Sequence, residues 1–285
     1  MRDRVVLITG AAGGAGAELT RRLHARGARL VLTDLTAASL AELAGPLDAD
    51  RVLTRAADVR DPAAVQAVAD AAVERFGGID VVVANAGIAT YGSVLRVDPD
   101  AFKQLVDVNV VGVFNTVRAA LPAVIERRGY VLIVSSLAAF AAAPGMAPYD
   151  AAKAAVEHFA NALRMEVAHL GVAVGSAHMS WIDTPMVRDA KDDLPAFRRM
   201  LATLPGPLSR TTSVSACGAA FVKGIEGRKA RIYCPRWVGL MRWLKPLLST
   251  RVGMAPVLRT APELIAQMDE QVAALGRSTS ARFTD

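Results

Sequence analysis

The chain has 285 residues, of which 53% are hydrophobic and 21% charged, and its formal net charge is +6. This length and composition are typical of a folded protein with a sizeable core, and they exclude a disordered or low-complexity chain. The first strand-like run begins at Arg4, which leaves no room for a secretory signal sequence, so we expect a cytoplasmic protein.

Short apolar runs alternate with longer helical patterns along the chain. The runs are apolar at nearly every position, as in strands covered on both faces of a parallel sheet. Seven of them are predicted as strands: Val5 to Thr9, Arg29 to Thr33, Val52 to Ala57, Asp80 to Ala84, Tyr130 to Ser135, Val172 to Ala177 and Arg231 to Tyr233. Helices are predicted at Ala17 to Arg26, Pro62 to Phe76, Pro99 to Arg127 and Tyr149 to Leu170.

This alternation predicts an α/β fold of the Rossmann type. Right-handed crossovers would build a doubly wound parallel β-sheet of about seven strands, flanked by helices on both faces. We expect one catalytic domain over residues 1–235, followed by a C-terminal extension over residues 236–285. Residues 185–212 are predicted as a substrate lid, and within them Pro195 to Pro207 as a surface loop, because proline, glycine and nearby charges favour one.

Four glycines lie from Gly10 to Gly16, between the first predicted strand and the first helix. Glycine there lets backbone N–H groups approach a pyrophosphate at the positive end of the helix. Asp34 ends the second strand, where a carboxylate can accept hydrogen bonds from the adenosine ribose and would repel a 2′-phosphate. Neither Gly13 nor Leu35 is basic, so we predict NAD rather than NADP. The structural alternatives are a tight turn and a helix N-cap at Asp34.

The sequence YDAAK, from Tyr149 to Lys153, opens the helical stretch after the fifth predicted strand. Residues four apart lie on one face of a helix, so the lysine ammonium can lie beside the phenol. A neighbouring positive charge can lower the pKa of a phenol from about 10 toward the neutral range, where a general acid or base works well. Taken alone, the two residues could equally be an exposed pair on a helix.

Together these motifs resemble those of the short-chain dehydrogenase/reductase family, over roughly Arg4 to Tyr233. The family's Thr-Gly-x-x-x-Gly-x-Gly motif is found from Thr9 to Gly16, and its Asn-Ala-Gly motif from Asn85 to Gly87. The resemblance implies cofactor contacts at Thr9, Gly10, Gly14, Ala15, Gly16, Asp34, Asp58, Val59, Asn85, Ala86, Gly87, Tyr149, Lys153 and Thr184. It implies a catalytic set of Asn109, Ser136, Tyr149 and Lys153, and no metal.

The resemblance also implies a role for each catalytic residue. Tyr149 would give a proton to the carbonyl oxygen in reduction, or take it from the hydroxyl in oxidation. Ser136 would hydrogen-bond the same oxygen. Lys153 would lower the pKa of Tyr149 and bind the nicotinamide ribose, and Asn109 would hold a water that passes protons to solvent.

The chain departs from the family pattern after the sixth predicted strand. Met179 and Ser180 stand where most members have Pro-Gly, so we expect a differently shaped nicotinamide end of the pocket. Between them and Thr184, Trp181 is interpreted as a pocket wall or core residue. His178 is interpreted as a hydrogen-bonded structural histidine.

The predicted extension is basic and amphipathic at its start. From residue 236 to 259 there are five basic residues and no acidic one, and Trp237, Leu240, Met241 and Leu244 recur at helical spacing. Such a segment can lie on an anionic membrane surface as a peripheral contact, or pack on protein. We favour packing on protein, because buried amphipathic helices are the more common case.

The leading functional hypothesis is an NAD-dependent oxidoreductase that interconverts a secondary alcohol and a ketone. Met179, Trp181 and Met186 favour a bulky apolar substrate. The alternatives are an NADP-dependent reductase of 3-oxoacyl groups on a carrier or coenzyme A, and a non-catalytic dinucleotide sensor. Nucleic acid binding is not indicated, because basic residues outside the extension are scattered among acids. The family's pairing of two long helices implies a homodimer or homotetramer.

Overall fold

Seven parallel strands form one sheet in the computed structural model, which describes residues 1–283. They are β1 (Val5–Thr9), β2 (Arg29–Thr33), β3 (Val52–Thr54), β4 (Val81–Ala84), β5 (Tyr130–Val134), β6 (Ala173–Met179) and β7 (Arg231–Cys234). Their spatial order is β3-β2-β1-β4-β5-β6-β7, so the chain starts in the middle and winds outward in both directions. The predicted doubly wound sheet is confirmed. The largest difference is at β3, which ends at Thr54 rather than at Ala57.

Helices cover both faces of the sheet. The α-helices are α1 (Gly14–Ala25), α2 (Ala37–Ala44), α3 (Pro62–Phe76), α4 (Pro99–Val106), α5 (Gly112–Glu126), α6 (Ala147–Val167), α7 (Pro185–Asp193), α8 (Pro195–Thr203), α9 (Val214–Glu226), α10 (Val238–Leu248) and α11 (Arg251–Leu275). One core lies between the sheet and α3, α5 and α6, and a second lies between the sheet and α1, α2 and α9. Burial of apolar side chains on both faces is the main source of stability.

A π-helical turn, Asp107–Val111, joins α4 to α5 into one continuous helical stretch, Pro99–Glu126. By length and composition alone this stretch could cross a membrane. However, 56% of its most apolar window is buried inside the protein, and α5 packs on α3 and β4. It is therefore a core helix of the α/β fold.

The segment predicted as a surface loop from Pro195 to Pro207 is mostly helical, so that prediction was wrong. Pro195 is the first residue of α8, where its fixed φ angle suits a helix start. Phe197, Met200 and Leu201 are buried and recur at helical spacing, which the proline and glycine in the segment obscured. They belong to a third core cluster that also contains Met268 of α11.

The C-terminal part of the extension returns to residues 185–212, which we call the lid by their position only. After α11 the chain runs past the segment that follows β4, where Thr279 forms an isolated antiparallel bridge with Thr90. Arg277 lies 2.9 Å from Asp193 at the end of α7, and Asp189 of α7 accepts hydrogen bonds from Ser280 and Arg282. We call residues 277–282 the tail strap. Residues 284 and 285, which end the predicted extension, lie outside the described residues.

Arginines tie together the loops at the amino ends of the strands. Arg228 donates through one Nη2 to the carbonyl oxygens of Gly129 (2.8 Å) and Gly171 (2.9 Å), and Arg127 donates to the carbonyl of Gly77. Arg4 pairs with Asp80 at 2.6 Å. These contacts hold the edge of the sheet that lies opposite the carboxyl ends of the strands.

Candidate active site

A cavity of about 700 Å³ opens at the carboxyl ends of the strands. Its lining comes from the segments that follow β1 to β6, together with the start of α6 and of α7 and with Arg282 of the tail strap. The strand order reverses between β1 and β4, and such a switch point is where doubly wound sheets bind their ligands.

The glycine-rich turn after β1 leaves no space for a side chain at Gly14 or Gly16. A Cβ atom at Gly16 would lie 2.2 Å from the carbonyl oxygen of Gly10, and one at Gly14 would lie 2.8 Å from Cγ2 of Thr184. Helix α1 starts at Gly14 with no side-chain cap and no acidic residue in its first turn. Its first N–H groups can therefore bind an anion at the positive end of the helix.

Asp34 lies beside this turn, at the end of β2. Its Oδ2 accepts a hydrogen bond from the backbone N–H of Ala12 (2.8 Å), and its Oδ1 accepts one from the N–H of Leu35 (2.9 Å). The carboxylate lines the cavity, as do Asp58 and Val59. The free helix N-terminus, the space kept by glycines and this carboxylate together fit a dinucleotide, with its pyrophosphate on α1 and its adenosine ribose at Asp34.

Two of the predicted cofactor residues lie behind the lining rather than in it. Thr9 accepts hydrogen bonds through Oγ1 from the N–H groups of Asn85 (3.1 Å) and Ala86 (3.3 Å). The Asn85 side chain donates back to the carbonyl oxygens of Thr9 (3.0 Å) and Gly10 (2.9 Å). Thr9 and Gly16 thus fix the turn. The predicted residues that line the cavity are Gly10, Gly14, Ala15, Asp34, Asp58, Val59, Asn85, Ala86, Gly87, Tyr149, Lys153 and Thr184.

Tyr149, Ser136 and Lys153 come together where β5 meets α6. The phenol of Tyr149 hydrogen-bonds the Ser136 side chain, whose Oγ also accepts from the N–H of Ala138 (3.2 Å). Lys153 Nζ lies 5.6 Å from the centroid of the Tyr149 ring and donates to the carbonyl oxygen of Val134 (3.1 Å). All three residues line the cavity, so the predicted constellation forms there.

Burial controls the protonation of this group. It raises the pKa of Tyr149 to about 12, which the hydrogen bond with Ser136 offsets only in part, and the charge of Asp150 raises it further. Burial also lowers the pKa of Lys153 to about 8. The direction for Tyr149 is opposite to that predicted from the Tyr–Lys spacing, because burial removes hydration from the phenolate and so favours the neutral phenol.

Asn109 lies behind the cavity wall, in the π-helical turn between α4 and α5. Its Oδ1 accepts from the backbone N–H of Ile88 (2.8 Å), and its Nδ2 donates to the carbonyl oxygen of the same residue (2.9 Å). The side chain is fully buried and both of its polar atoms are used. It holds the segment after β4 in place, and its role with a water stays a prediction.

Asp150 is a site residue that the sequence analysis missed. It is buried, lines the cavity and accepts through Oδ2 from the N–H of Ala143 (2.8 Å), while its Oδ1 has no partner among the described residues. Burial raises its pKa to about 7, although the Ala143 N–H acts in the opposite sense. One signal was present, because Asp150 is the first charged residue after Arg128 and follows Tyr149 directly.

His178 is a buried, hydrogen-bonded histidine, as interpreted from the sequence. Its Nδ1 lies 3.2 Å from the Ser136 carbonyl oxygen, and its Nε2 lies 3.0 Å from Ser176 Oγ and 3.1 Å from Glu157 Oε2. Burial raises the pKa of Glu157, but hydrogen bonds with His178, Ser176 and Asn161 reverse this and bring it to about 2. This cluster supports the backbone of Ser136 from behind.

Met179 and Ser180, the departure from the Pro-Gly pattern, lie at the end of β6. Met179 continues the strand and pairs with Cys234 of β7, and the Ser180 N–H donates to the Cys234 carbonyl (2.9 Å). Met179, Ser180 and Trp181 all line the cavity. Trp181 packs edge-on against Phe197 of α8, with ring centroids 5.4 Å apart, so it is both pocket wall and core residue.

The comparisons with known proteins agree with this geometry. The sequence profile of the short chain dehydrogenase family matches residues 4–195. An uncharacterised NAD-dependent oxidoreductase of Mycobacterium tuberculosis is 33% identical over 204 residues, which cover 66% of this chain and 74% of that protein. The 2-(R)-hydroxypropyl-CoM dehydrogenase of Xanthobacter autotrophicus is 34% identical over 229 residues, covering 78% of this chain and 92% of that one. A crystal structure of a Burkholderia phymatum short chain dehydrogenase/reductase with NAD superposes with a TM-score of 0.75 at 25% identity, covering 85% of this chain and 92% of that one.

Proposed function

The chain belongs to the short-chain dehydrogenase/reductase family and is an NAD(P)-dependent oxidoreductase, and from this premise we propose that it interconverts a secondary alcohol and a ketone, with NAD as its cofactor. One observation carries the proposal. A single cavity has a dinucleotide site at the glycine turn and, further along, the hydrogen-bonded pair of Tyr149 and Ser136 in mainly apolar surroundings.

Tyr149 is the proton carrier in this proposal. With its pKa raised to about 12, the phenol stays protonated at neutral pH and can donate to the carbonyl oxygen of a ketone. Ser136, which bonds the same phenol, orients the substrate oxygen. The dinucleotide supplies or accepts the hydride when bound. For oxidation Tyr149 must first lose its own proton, so alcohol oxidation is expected to rise with pH.

Lys153 binds the cofactor and passes protons in this proposal. Its Nζ lies close to Gly87, where a Cβ atom would be 3.4 Å from it, and a Cβ there would also be 3.2 Å from Oδ1 of Asn109. With a pKa lowered to about 8, Lys153 is still mostly protonated at neutral pH and can lose its proton just above it. These properties suit contact with the nicotinamide ribose and a proton path past Asn109.

The preference for NAD over NADP rests on Asp34. Its carboxylate is fixed by the N–H groups of Ala12 and Leu35 and lines the cavity beside the turn that fits the pyrophosphate. A 2′-phosphate placed there would meet a held negative charge, whereas ribose hydroxyls can donate to it. The same feature disfavours the alternative of an NADP-dependent 3-oxoacyl reductase.

The substrate is proposed to be bulky and apolar. Beyond the catalytic pair, the cavity wall is formed largely by apolar side chains, which favour apolar ligands. The chain's own lid supplies Met186 to this wall. The segment after β5 supplies Leu137 and Met146, and the end of β6 and the residues after it supply Met179 and Trp181.

We also propose that the protein is a cytoplasmic homo-oligomer whose interface includes α5 and α6. Val111 and Phe114 are exposed at α5, and Met165 is exposed on α6. Phe114 and Phe159 contact each other edge-on with ring centroids 6.3 Å apart, which joins the two helices into one apolar face. Pairing of this face with a second copy would cover it.

The proposed function is tested by the formation of NADH from NAD with secondary alcohols of increasing apolar size. We expect turnover that rises with substrate size and is greater with NAD than with NADP. In the variant Tyr149→Phe, kcat should fall by at least about 100-fold while NAD binding changes little, because only proton transfer is removed.

The matched control is Tyr91→Phe, which alters a buried tyrosine outside the cavity lining and should keep its activity. Equal turnover of the two variants would overturn the role of Tyr149. Measurable NAD binding without turnover on any alcohol or ketone would instead favour the dinucleotide sensor.

A further inference from the structure

Residues 236–260, which comprise α10 and the first part of α11, form a feature that we call the basic hairpin. Its apolar side chains are largely uncovered: Trp243 is 74% exposed and Val252 79%. Leu240, Trp243 and Leu247 follow one face of α10, and Met254, Val257 and Leu258 follow one face of α11. The hairpin thus presents a broad apolar surface to its surroundings.

The protein's own body covers only one side of the hairpin: Trp237, Met241 and Leu244, predicted to pack on protein, are half-buried, whereas the face with Leu240, Trp243 and Leu247 is exposed. In α10 only Val238, at its start, is buried, and the buried residues of α11 are Met268 and Val272, both beyond the hairpin. The part of α11 that packs on the lid therefore begins after residue 260. An apolar surface of this extent on a single chain indicates an external contact.

The charge of the basic hairpin is of one sign. It carries Arg236, Arg242, Lys245, Arg251 and Arg259, and the first acidic residue after β7 is Glu263. No ion pair in residues 1–283 involves these five side chains. Two copies of the hairpin facing each other would repel, whereas a surface of anionic groups would attract either one.

The chemistry of the exposed side chains fits a lipid headgroup region. Tryptophan and leucine beside arginine and lysine are typical of helices that lie in the membrane interface. Arg242 lies 4.9 Å from the Trp243 ring centroid, so the charge and the largest exposed ring occupy the same face. We propose that the basic hairpin binds peripherally to the surface of an anionic lipid bilayer.

This contact would place the bilayer next to the cavity. Lys245 Nζ donates to the carbonyl oxygen of Ala139 (3.0 Å), in the segment whose neighbours Leu137, Ala138 and Ala141 line the cavity. On the far side of that segment, Met268 packs against Gly145. One wall of the cavity is therefore held by both helices of the extension.

The test is co-sedimentation of the intact protein with vesicles of phosphatidylcholine alone or with phosphatidylserine added. We expect binding to the anionic vesicles that weakens as salt rises, and little binding to the neutral ones. An intact protein that stays in solution with anionic vesicles at low salt would overturn the proposal.

Two pairs of substitutions locate the contact. Trp243→Glu with Leu247→Glu should abolish binding, whereas Val73→Glu, at an exposed position of α3, should not. Arg242→Gln with Arg251→Gln should lower the partition coefficient by about 30-fold, and Arg55→Gln with Arg75→Gln by much less.

Hairpin variants that bind vesicles as strongly as the original protein would refute the assignment of the membrane contact to the basic hairpin. A hairpin variant that changes oligomeric state, in a protein that never binds vesicles, would identify a second copy as the occupant instead. Vesicle binding is measured without turnover. A protein that fails to bind vesicles can therefore be distinguished from one that fails to catalyse the proposed reaction.

Discussion

Replacing Asp150 by asparagine should stabilise the folded protein at pH 8 and change its stability little at pH 4. Asparagine has the same shape, and its amide oxygen can accept the hydrogen bond that Ala143 now donates to the carboxylate. What it removes is the negative charge, which is buried beside Tyr149 with one oxygen lacking a partner in the described part of the chain. A buried charge without compensation lowers stability.

The magnitude follows from the pKa of Asp150, which burial raises from its ordinary 3.8 to about 7. The folded state therefore binds a proton that the unfolded state has lost, throughout the range between those two values. The free energy of unfolding must then fall as pH rises from about 4 to about 7 and stay low above it. At about 1.4 kcal/mol for each pKa unit, the loss is at most about 4 kcal/mol.

Urea unfolding of both proteins from pH 4 to pH 8 measures this difference. The stability of Asp150→Asn relative to the original protein should rise by up to about 4 kcal/mol across the range. Any cost of the new NH₂ group is the same at every pH, so it does not affect that rise. Asp70→Asn, on the exposed face of α3, is the control. A difference that does not depend on pH would refute the assignment of a charged, uncompensated Asp150.

Three further predictions concern the turn, the cofactor and the lid. Gly16→Ala should destabilise the protein by at least about 2 kcal/mol in thermal unfolding, because its Cβ would lie 2.2 Å from a backbone oxygen, while Gly13→Ala, which meets nothing within 4 Å, should be nearly neutral. Equal melting temperatures would contradict this. Asp34→Ser should raise the ratio of kcat/KM for NADP to that for NAD by at least about tenfold, and an unchanged ratio would remove the basis for proposing NAD. Asp189→Ala removes the carboxylate that holds the tail strap and should speed limited proteolysis within α7 and α8, and unchanged cleavage would show that the strap does not restrain the lid.

The sheet could be predicted from the sequence because each buried strand is a short apolar run ended by a turn residue. The strands from Val5 and from Arg29 begin and end as predicted, since both faces are covered and no polar position interrupts them. The edge strand β3 was predicted too long. Its residues are only partly buried, so the apolar pattern there does not show where the hydrogen bonding of the strand ends.

The grouping of Tyr149, Lys153 and Ser136 could also be predicted, because its spacing is local: Tyr149 and Lys153 share one helix, and Ser136 follows the strand before it. The pKa of Tyr149 could not, since its direction depends on how deeply the fold buries the phenol, which no spacing reports. The pKa of Asp150 could not be predicted either, because in the sequence it resembles any acidic residue in the first turn of a helix.

The lid and the extension were less predictable, because their elements are defined by contacts far apart in the chain. Helix α8 is stabilised by Phe197 and Met200 packing on α11, some seventy residues later, and Ala196 donates to the side chain of Gln271 (2.9 Å). A proline-containing segment with no neighbour in sequence favours a loop. Only packing against α11, which returns from the extension, makes this segment a buried helix.

The arginine contacts at the amino ends of the strands divide the protein into two regions that can be altered separately. Arg228 links the loops at Gly129 and Gly171, on the opposite side of the sheet from the cavity. Substitutions there should therefore change the rate at which the protein unfolds without changing which substrate it accepts. Changes at the carboxyl ends should do the reverse. Variants of this enzyme can thus be selected for slower unfolding at the amino ends of the strands and for substrate range at the carboxyl ends. The two sets of substitutions can then be combined with little interference.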